Sequence, residues 1–214
     1  MPTPPPRTWI YFFQGDTFTN SSAPPLSAAS KINRYRVEAL NSIRGEPVAF
    51  FNPGAEILRV CANDPLSACS ESLADCTQHL HFTSDAQLTR LLAISAKEIP
   101  ATEQPVTVLI PIRKSDAWWN LGHDARAELM NGSTTLRGHT AIGEDFAPQI
   151  FRQLILSRYL DSSRRPYDFL TYFEFPEANR DAFTTLLSRL RDETLNPEWA
   201  YVDMEQEIWM RKVE

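Results

Sequence analysis

The 214-residue chain is 43% hydrophobic and 22% charged, enough to bury one sizeable core or two fused half-domains of about 100 residues each. A formal net charge of −6 argues against a broad nucleic-acid-binding face, and no run of about 18 apolar residues offers a membrane span. Cys61, Cys69 and Cys76 are too few and odd in number for a disulfide framework, so reduced thiols are expected.

In chain order, the opening MPTPPPRTWIYFF shows no signal-peptide pattern, and a cytoplasmic location is expected. PTPPP (2–6) reads as a frayed terminus and TNSSAPPLSAAS (19–30) as a long surface loop. TWIYFF (8–13), PVAFF (47–51), EILRVC (56–61) and TVLIPIR (107–113) are rich in aromatic and β-branched residues and predict strands. DAQLTRLLAISAKEI (85–99) places Leu88, Leu91 and Leu92 at helical spacing and predicts a helix running up to Pro100.

The second half repeats the theme. HDARAELM (123–130) predicts a helix, QIFRQLILSRYL (149–160) and YDFLTYFEF (167–175) predict strands, and EWAYVDMEQEIWMRK (198–212) predicts a last strand. NRDAFTTLLSRLRDE (179–193) sets Phe183, Leu186, Leu187 and Leu190 on one helical face. Strands with helices on one side in each half predict an α+β fold of two ferredoxin-like halves, whose antiparallel sheets meet as a barrel with helices outside.

RGHTAIGEDFAPQIFRQLILSRYL (137–160) puts His139 and Arg152 among apolar residues. At about 100° per residue, one straight helix would point them to opposite sides. Pro148 ends the helix carrying His139 near Phe146, so Arg152 belongs to a following strand, on the face of Leu154 and Leu156. A permanent cation on an apolar face is costly unless a carboxylate or a visiting anion meets it. Taken singly, a lone histidine is more often a core or surface residue, and a strand arginine more often an ion-pair partner.

Several stretches together resemble the chlorite dismutase family of haem proteins. LIPIRKSDAWWNL (109–121), HTAIG followed by Pro148 and Arg152, YDFLTYFEF (167–175), LLSRLRDE (186–193) and EWAYVDMEQEI (198–208) occur in the family's order, over about residues 105–210. The resemblance implies a dimeric α+β barrel divided into halves 1–105 and 106–214, with the haem site in the second. It makes His139 the proximal ligand of haem b iron and Arg152 the distal catalytic residue. The match to EWxYV makes Glu198 the acceptor for the second ring nitrogen of His139. Three extra residues between LR and EW leave Glu193 as the alternative.

Lys114, in IRKS, matches the lysine of the proximal network, and Leu154, Thr171 and Phe173 match positions around the open coordination site. Trp118 and Trp119 resemble the family's tandem tryptophans, although as plain sequence they read as core aromatics. The activity implied is conversion of chlorite to chloride and dioxygen through ferryl haem and transient hypochlorite. Arginine suits that chemistry because it stays cationic and attracts an anion, whereas a peroxidase wants a distal proton carrier. The implied partners are chlorite and a second copy of the chain, with no nucleic acid and no membrane. A peroxidase-like relative and a haem carrier or sensor remain the rival functions.

Departures from the family lie mostly in the first half. CTQHLHFTSDAQ (76–87) stands where the family has an arginine- and tyrosine-containing strand, so no propionate contact is assigned there. DPLSACSESLADC (64–76) and SSRR (162–165) read as surface insertions. Cys69, Cys76, His79 and His81 are ligand types that zinc accepts, but their spacing matches no recognised finger, and a loop followed by a strand is the expectation.

Overall fold

The computed structural model describes residues 9–14, 29–47, 51–62, 73–76, 84–156 and 166–214, the side chains of 29, 30, 62, 73–76 and 156 excepted. Eight strands carry the fold: β1 (Trp9–Gln14), β2 (Ala29–Arg44), β3 (Glu56–Ala62), β4 (Leu73–Cys76), β5 (Val106–Lys114), β6 (Phe151–Leu156), β7 (Phe169–Phe175) and β8 (Val202–Val213). They form a closed ring in the order β1-β3-β2-β8-β5-β7-β6-β4, with every pairing antiparallel. Within the ring each half of the chain contributes four consecutive strands in one order: β4-β1-β3-β2 from the first half and β8-β5-β7-β6 from the second. The halves join along β2 and β8, paired from Arg34↔Val213 to Arg44↔Glu205, and at the described pair Cys76↔Leu156 between β4 and β6.

The alternation of side chains decides what fills the ring. Ile10, Phe12, Tyr35, Ile57, Leu109, Ile155, Leu170, Tyr172 and Ile208 come from seven strands into one buried cluster, which therefore lies inside the barrel. One end of that interior is polar. Arg59 donates to Glu98 Oε1 at 3.0 Å and to Gln153 Oε1 at 2.5 Å, and its guanidinium lies over the Tyr172 ring. Lys212 donates to Glu98, Glu174 and the Ile99 carbonyl. Burial would raise the Glu98 carboxyl, but Arg59, Lys31 and Lys212 hold it down at about 2.

The helices are α1 (Asp85–Ile94), α2 (Asp116–Asn120), α3 (His123–Asn131), α4 (His139–Glu144) and α5 (Arg180–Leu190). On the outer face of β5 and β7, Val106, Val108, Ile110, Phe173 and Phe175 pack against Ile142 of α4 and Phe183, Leu186 and Leu187 of α5. Burying each such side chain contributes about 1.5–3 kcal/mol. The apolar face predicted for 179–193 is the one that α5 buries. Among the described residues, no helix is long and apolar enough to cross a membrane.

Several expectations are corrected. The predicted helix 85–99 ends at Ile94: Ser95 is extended, Ala96 N–H bonds the Ala147 carbonyl, and the chain then carries Glu98 to the cations at the barrel end. LADC (73–76), read within a surface insertion, is a strand paired with β1. The 19–30 loop gives way to β2 at Ala29. Pro47 and Phe51 lie outside strands, and 48–50 lie outside the described residues. The last strand starts at Val202, after a 3-10 turn at Pro197–Tyr201. SSRR (162–165), Cys69, His79 and His81 lie outside the described residues, as does the side chain of Cys76; Cys61 is buried.

Candidate functional site

Two glycines set His139 in place. The loop between α3 and α4 folds so tightly that Gly132 has φ +84° and Gly138 φ +79°. A Cβ on Gly138 would come within 2.3 Å of the Gly132 nitrogen, which excludes every other residue type there. His139 follows as the first residue of α4, and its ring leans toward the outer face of β6. Strand register does the rest. Arg152 pairs with Phe173 and Leu154 with Thr171, and alternation turns all four away from the barrel interior.

These side chains line one cavity between the outer sheet face and the helices, together with Lys114, Trp118, His139 and Glu198. Eight of the nine predicted site residues therefore converge. Trp119 is the exception: its ring stacks on Phe169 at 6.1 Å and it hydrogen-bonds Asp168. The cavity also takes residues that the sequence reading did not place. Leu88, Leu91 and Leu92 supply one wall from α1, Met130 another from α3, and Leu186 and Leu190 a third from α5. The leucine spacing of α1 was the available signal, since α1 buries none of its residues.

At the polar end, Glu198 holds two cationic or donor groups at once. His139 Nδ1–H donates to Glu198 Oε2 at 3.0 Å, and Lys114 Nζ donates to Oε1. Glu193 is 57% exposed and faces Arg44, so Glu198 is the carboxylate beside the histidine. Lys114 Nζ also lies 4.8 Å from the centroid of the buried Trp118 ring. Burial lowers the Lys114 ammonium to about 7, against the pull of Glu205 and Asp168.

The other ring nitrogen, Nε2, faces Arg152 Nη2 at 3.4 Å. Arg152 has no carboxylate partner among the described residues. Burial lowers its pKa to about 10, which still leaves it a cation at neutral pH. Burial first, then Arg152 and Lys114, push the His139 imidazole well below its usual 6.5 and keep it neutral.

That depression carries a measurable consequence. Below pH 6.5 the unfolded chain takes up a proton that folded His139 refuses, so stability is full above that pH and falls as the pH drops. The slope reaches at most about 1.4 kcal/mol per pH unit. Thermal melts of the haem-free protein between pH 7 and pH 5 should show the decline, and His139→Gln should flatten it; an unchanged slope in the variant would assign the decline to other groups.

Comparison with solved structures adds the family context. A dimeric chlorite dismutase from Nitrobacter winogradskyi superposes with a TM-score of 0.69 at 24% identity, over 96% of this chain and 99% of that one. The chain has the chlorite dismutase fold. A mutant chlorite dismutase from Candidatus Nitrospira defluvii matches with a TM-score of 0.62 at 15% identity, over 99% of this chain and 93% of that one. The same organism's chlorite dismutase in complex with imidazole matches with a TM-score of 0.60 at 16% identity, over 97% and 90%. No protein-family model and no curated protein matches the chain. Against this chlorite dismutase fold, the cavity occupies the outer face of the second-half sheet, and every polar group described above at its proximal end comes from residues after 105.

The donor set fits a haem iron. A neutral imidazole with its Nδ1–H engaged by a carboxylate leaves Nε2 free to coordinate, in the arrangement that raises ligand basicity. The walls are apolar apart from a few placed polar groups. A planar group beside His139 Nε2 would require the guanidinium of Arg152, which has no ion pair among the described residues, to move aside.

Proposed function

We propose that the chain is a member of the chlorite dismutase family that holds haem b through His139 and converts chlorite to chloride and dioxygen. The observation that carries this reading is one cavity in which a carboxylate-held, neutral histidine faces an arginine with no described ion pair. His139 Nε2 would be the axial ligand, with Trp118, Leu154, Thr171 and Phe173 as walls. Bound haem would supply the redox-active iron at which chlorite gives up both oxygen atoms, which leave joined as dioxygen.

The chain's own residues do the rest. Glu198 keeps the proton on His139 Nδ1 and fixes the ring, while Lys114 neutralises the carboxylate and stops it swinging away. Arg152 draws the anion into an apolar space and keeps oxyanions there, without having to give up a proton. Besides Glu198, the only carboxylate lining the cavity among the described residues is Glu144, and Arg90 holds it through both oxygens. A peroxidase needs a free acid–base group on the distal side, so this occupancy favours chlorite over hydrogen peroxide.

The repeated strand order supports reading 1–105 and 106–214 as two ferredoxin-like halves. The likeness to the dimeric Nitrobacter winogradskyi protein supports a homodimer.

Haem added to the purified chain should give a Soret band at one equivalent, and chlorite should then release dioxygen at an oxygen electrode. His139→Ala should lose stoichiometric haem uptake while keeping its far-UV spectrum. Haem uptake without dioxygen would leave a carrier or sensor, and full uptake by His139→Ala would remove the histidine from its role.

A further inference from the structure

Between α5 and β8 the chain passes through Asn196, whose side chain is almost wholly buried and whose backbone closes two turns, N–H to the Asp192 carbonyl and C=O from Trp199 N–H. Its amide nitrogen makes two hydrogen bonds. One, 2.7 Å long, goes to the Leu190 carbonyl at the end of α5; the other, 3.3 Å, goes to Glu198 Oε2. That is the oxygen that accepts His139 Nδ1–H. The amide orientation is fixed by these partners, because the flipped form would set Oδ1 against two acceptors. Oδ1 itself is buried with no hydrogen-bond partner.

An orphaned buried acceptor carries a desolvation penalty that an apolar side chain of similar size would not incur. Capping the Leu190 carbonyl uses one of the two amide protons. The other is spent on Glu198.

We infer that Asn196 is a positioning residue that tempers the pull of Glu198 on His139. This rests on the reading of His139 as the haem ligand. By sharing Oε2, Asn196 withdraws negative charge from the oxygen that holds Nδ1–H, so the imidazole keeps less imidazolate character. Lys114 acts on the other oxygen and neutralises the carboxylate as a whole, whereas Asn196 acts on the oxygen in contact with the ring. A less electron-rich axial ligand favours ferrous over ferric iron.

The test is Asn196→Ala in the haem-loaded protein. The ferric–ferrous equilibrium should move about threefold toward ferric, a potential lower by ~28 mV at 59 mV per decade. The iron–histidine stretch should rise in frequency. In the haem-free protein the Nδ1–H proton resonance of His139 should move downfield as its hydrogen bond strengthens. If Asn196→Ala fails to fold, Asn196→Leu, of similar size and without a donor, is read the same way. Unchanged potential and proton shift with a lowered melting temperature would make Asn196 a helix cap only, and a shift of opposite sign would also overturn the inference. Should the parent chain take up no haem, the functional reading fails, and the haem-free proton resonance alone decides the role of Asn196.

Discussion

Arg152→Ala should leave haem uptake and melting temperature nearly unchanged while turnover of chlorite falls about 10²-fold, the loss typical when one stabilising donor is removed from an anion site. The stability half of this expectation comes from the absence of any described carboxylate partner: no counter-charge is left stranded. Its guanidinium also faces His139, whose imidazole it pushes toward the neutral form, so its removal relieves rather than creates electrostatic conflict. The activity half comes from retention. On the proposed reaction, hypochlorite would escape without this cation and attack nearby tryptophan and methionine side chains, so trappable hypochlorite should rise and inactivation should come after fewer turnovers. A structural arginine would behave in the opposite way, costing about 3–5 kcal/mol through the carboxylate left behind. A large fall in melting temperature with unchanged hypochlorite leakage would therefore remove Arg152 from the chemistry.

Glu198→Ala should have the largest effect on stability. Glu198 is buried between Lys114 and His139, and its loss leaves the Lys114 ammonium in the interior with 4% side-chain exposure and without the carboxylate it touches. Breaking a buried pair from one side costs about 3–5 kcal/mol. The same change frees His139 Nδ1–H, so the ring loses its fixed orientation and haem affinity should fall by about 10–100-fold. Lys114→Met in the Glu198→Ala background separates the two effects. Removing the stranded cation should recover most of the stability and little of the haem affinity, as chemical denaturation and haem transfer to an acceptor protein would read. Recovery of both together would mean that Glu198 acts through packing alone.

The elements that carry the cavity were the most legible in the sequence. β5 and β7 are runs rich in β-branched and aromatic residues and α5 has 3.6-residue spacing, and each forms where that signal predicts. β2 was not read because KINRYRVEALNSIR is charged and loses its alternation: Val37 pairs with Met210 but Ala39 pairs with Trp209, and the bulge moves later residues to the other face. β4 has four residues, too few to show a period. In the site, the spacing of His139 and Arg152 excluded a common helix but could not bring the two together. That took the Gly132–Gly138 loop and the β6–β7 register. Glu198 was placed through resemblance, and the choice between it and Glu193 had to wait for the turn at Pro197–Tyr201. Asn196 carried no signal, since a buried asparagine in a connecting segment looks like any turn former.

Two seams close the barrel. One runs the length of β2 and β8, while at the other the described pairing of β4 with β6 is Cys76↔Leu156. Strand β8 is laddered on both flanks, to β2 and to β5, so its amides should be among the slowest to exchange. β6 is also the strand that carries Arg152. Lys114 and Glu198, by contrast, sit on and beside the β5–β8 ladder. The carboxylate and the ammonium that hold the histidine are thus anchored in the part of the barrel expected to open last.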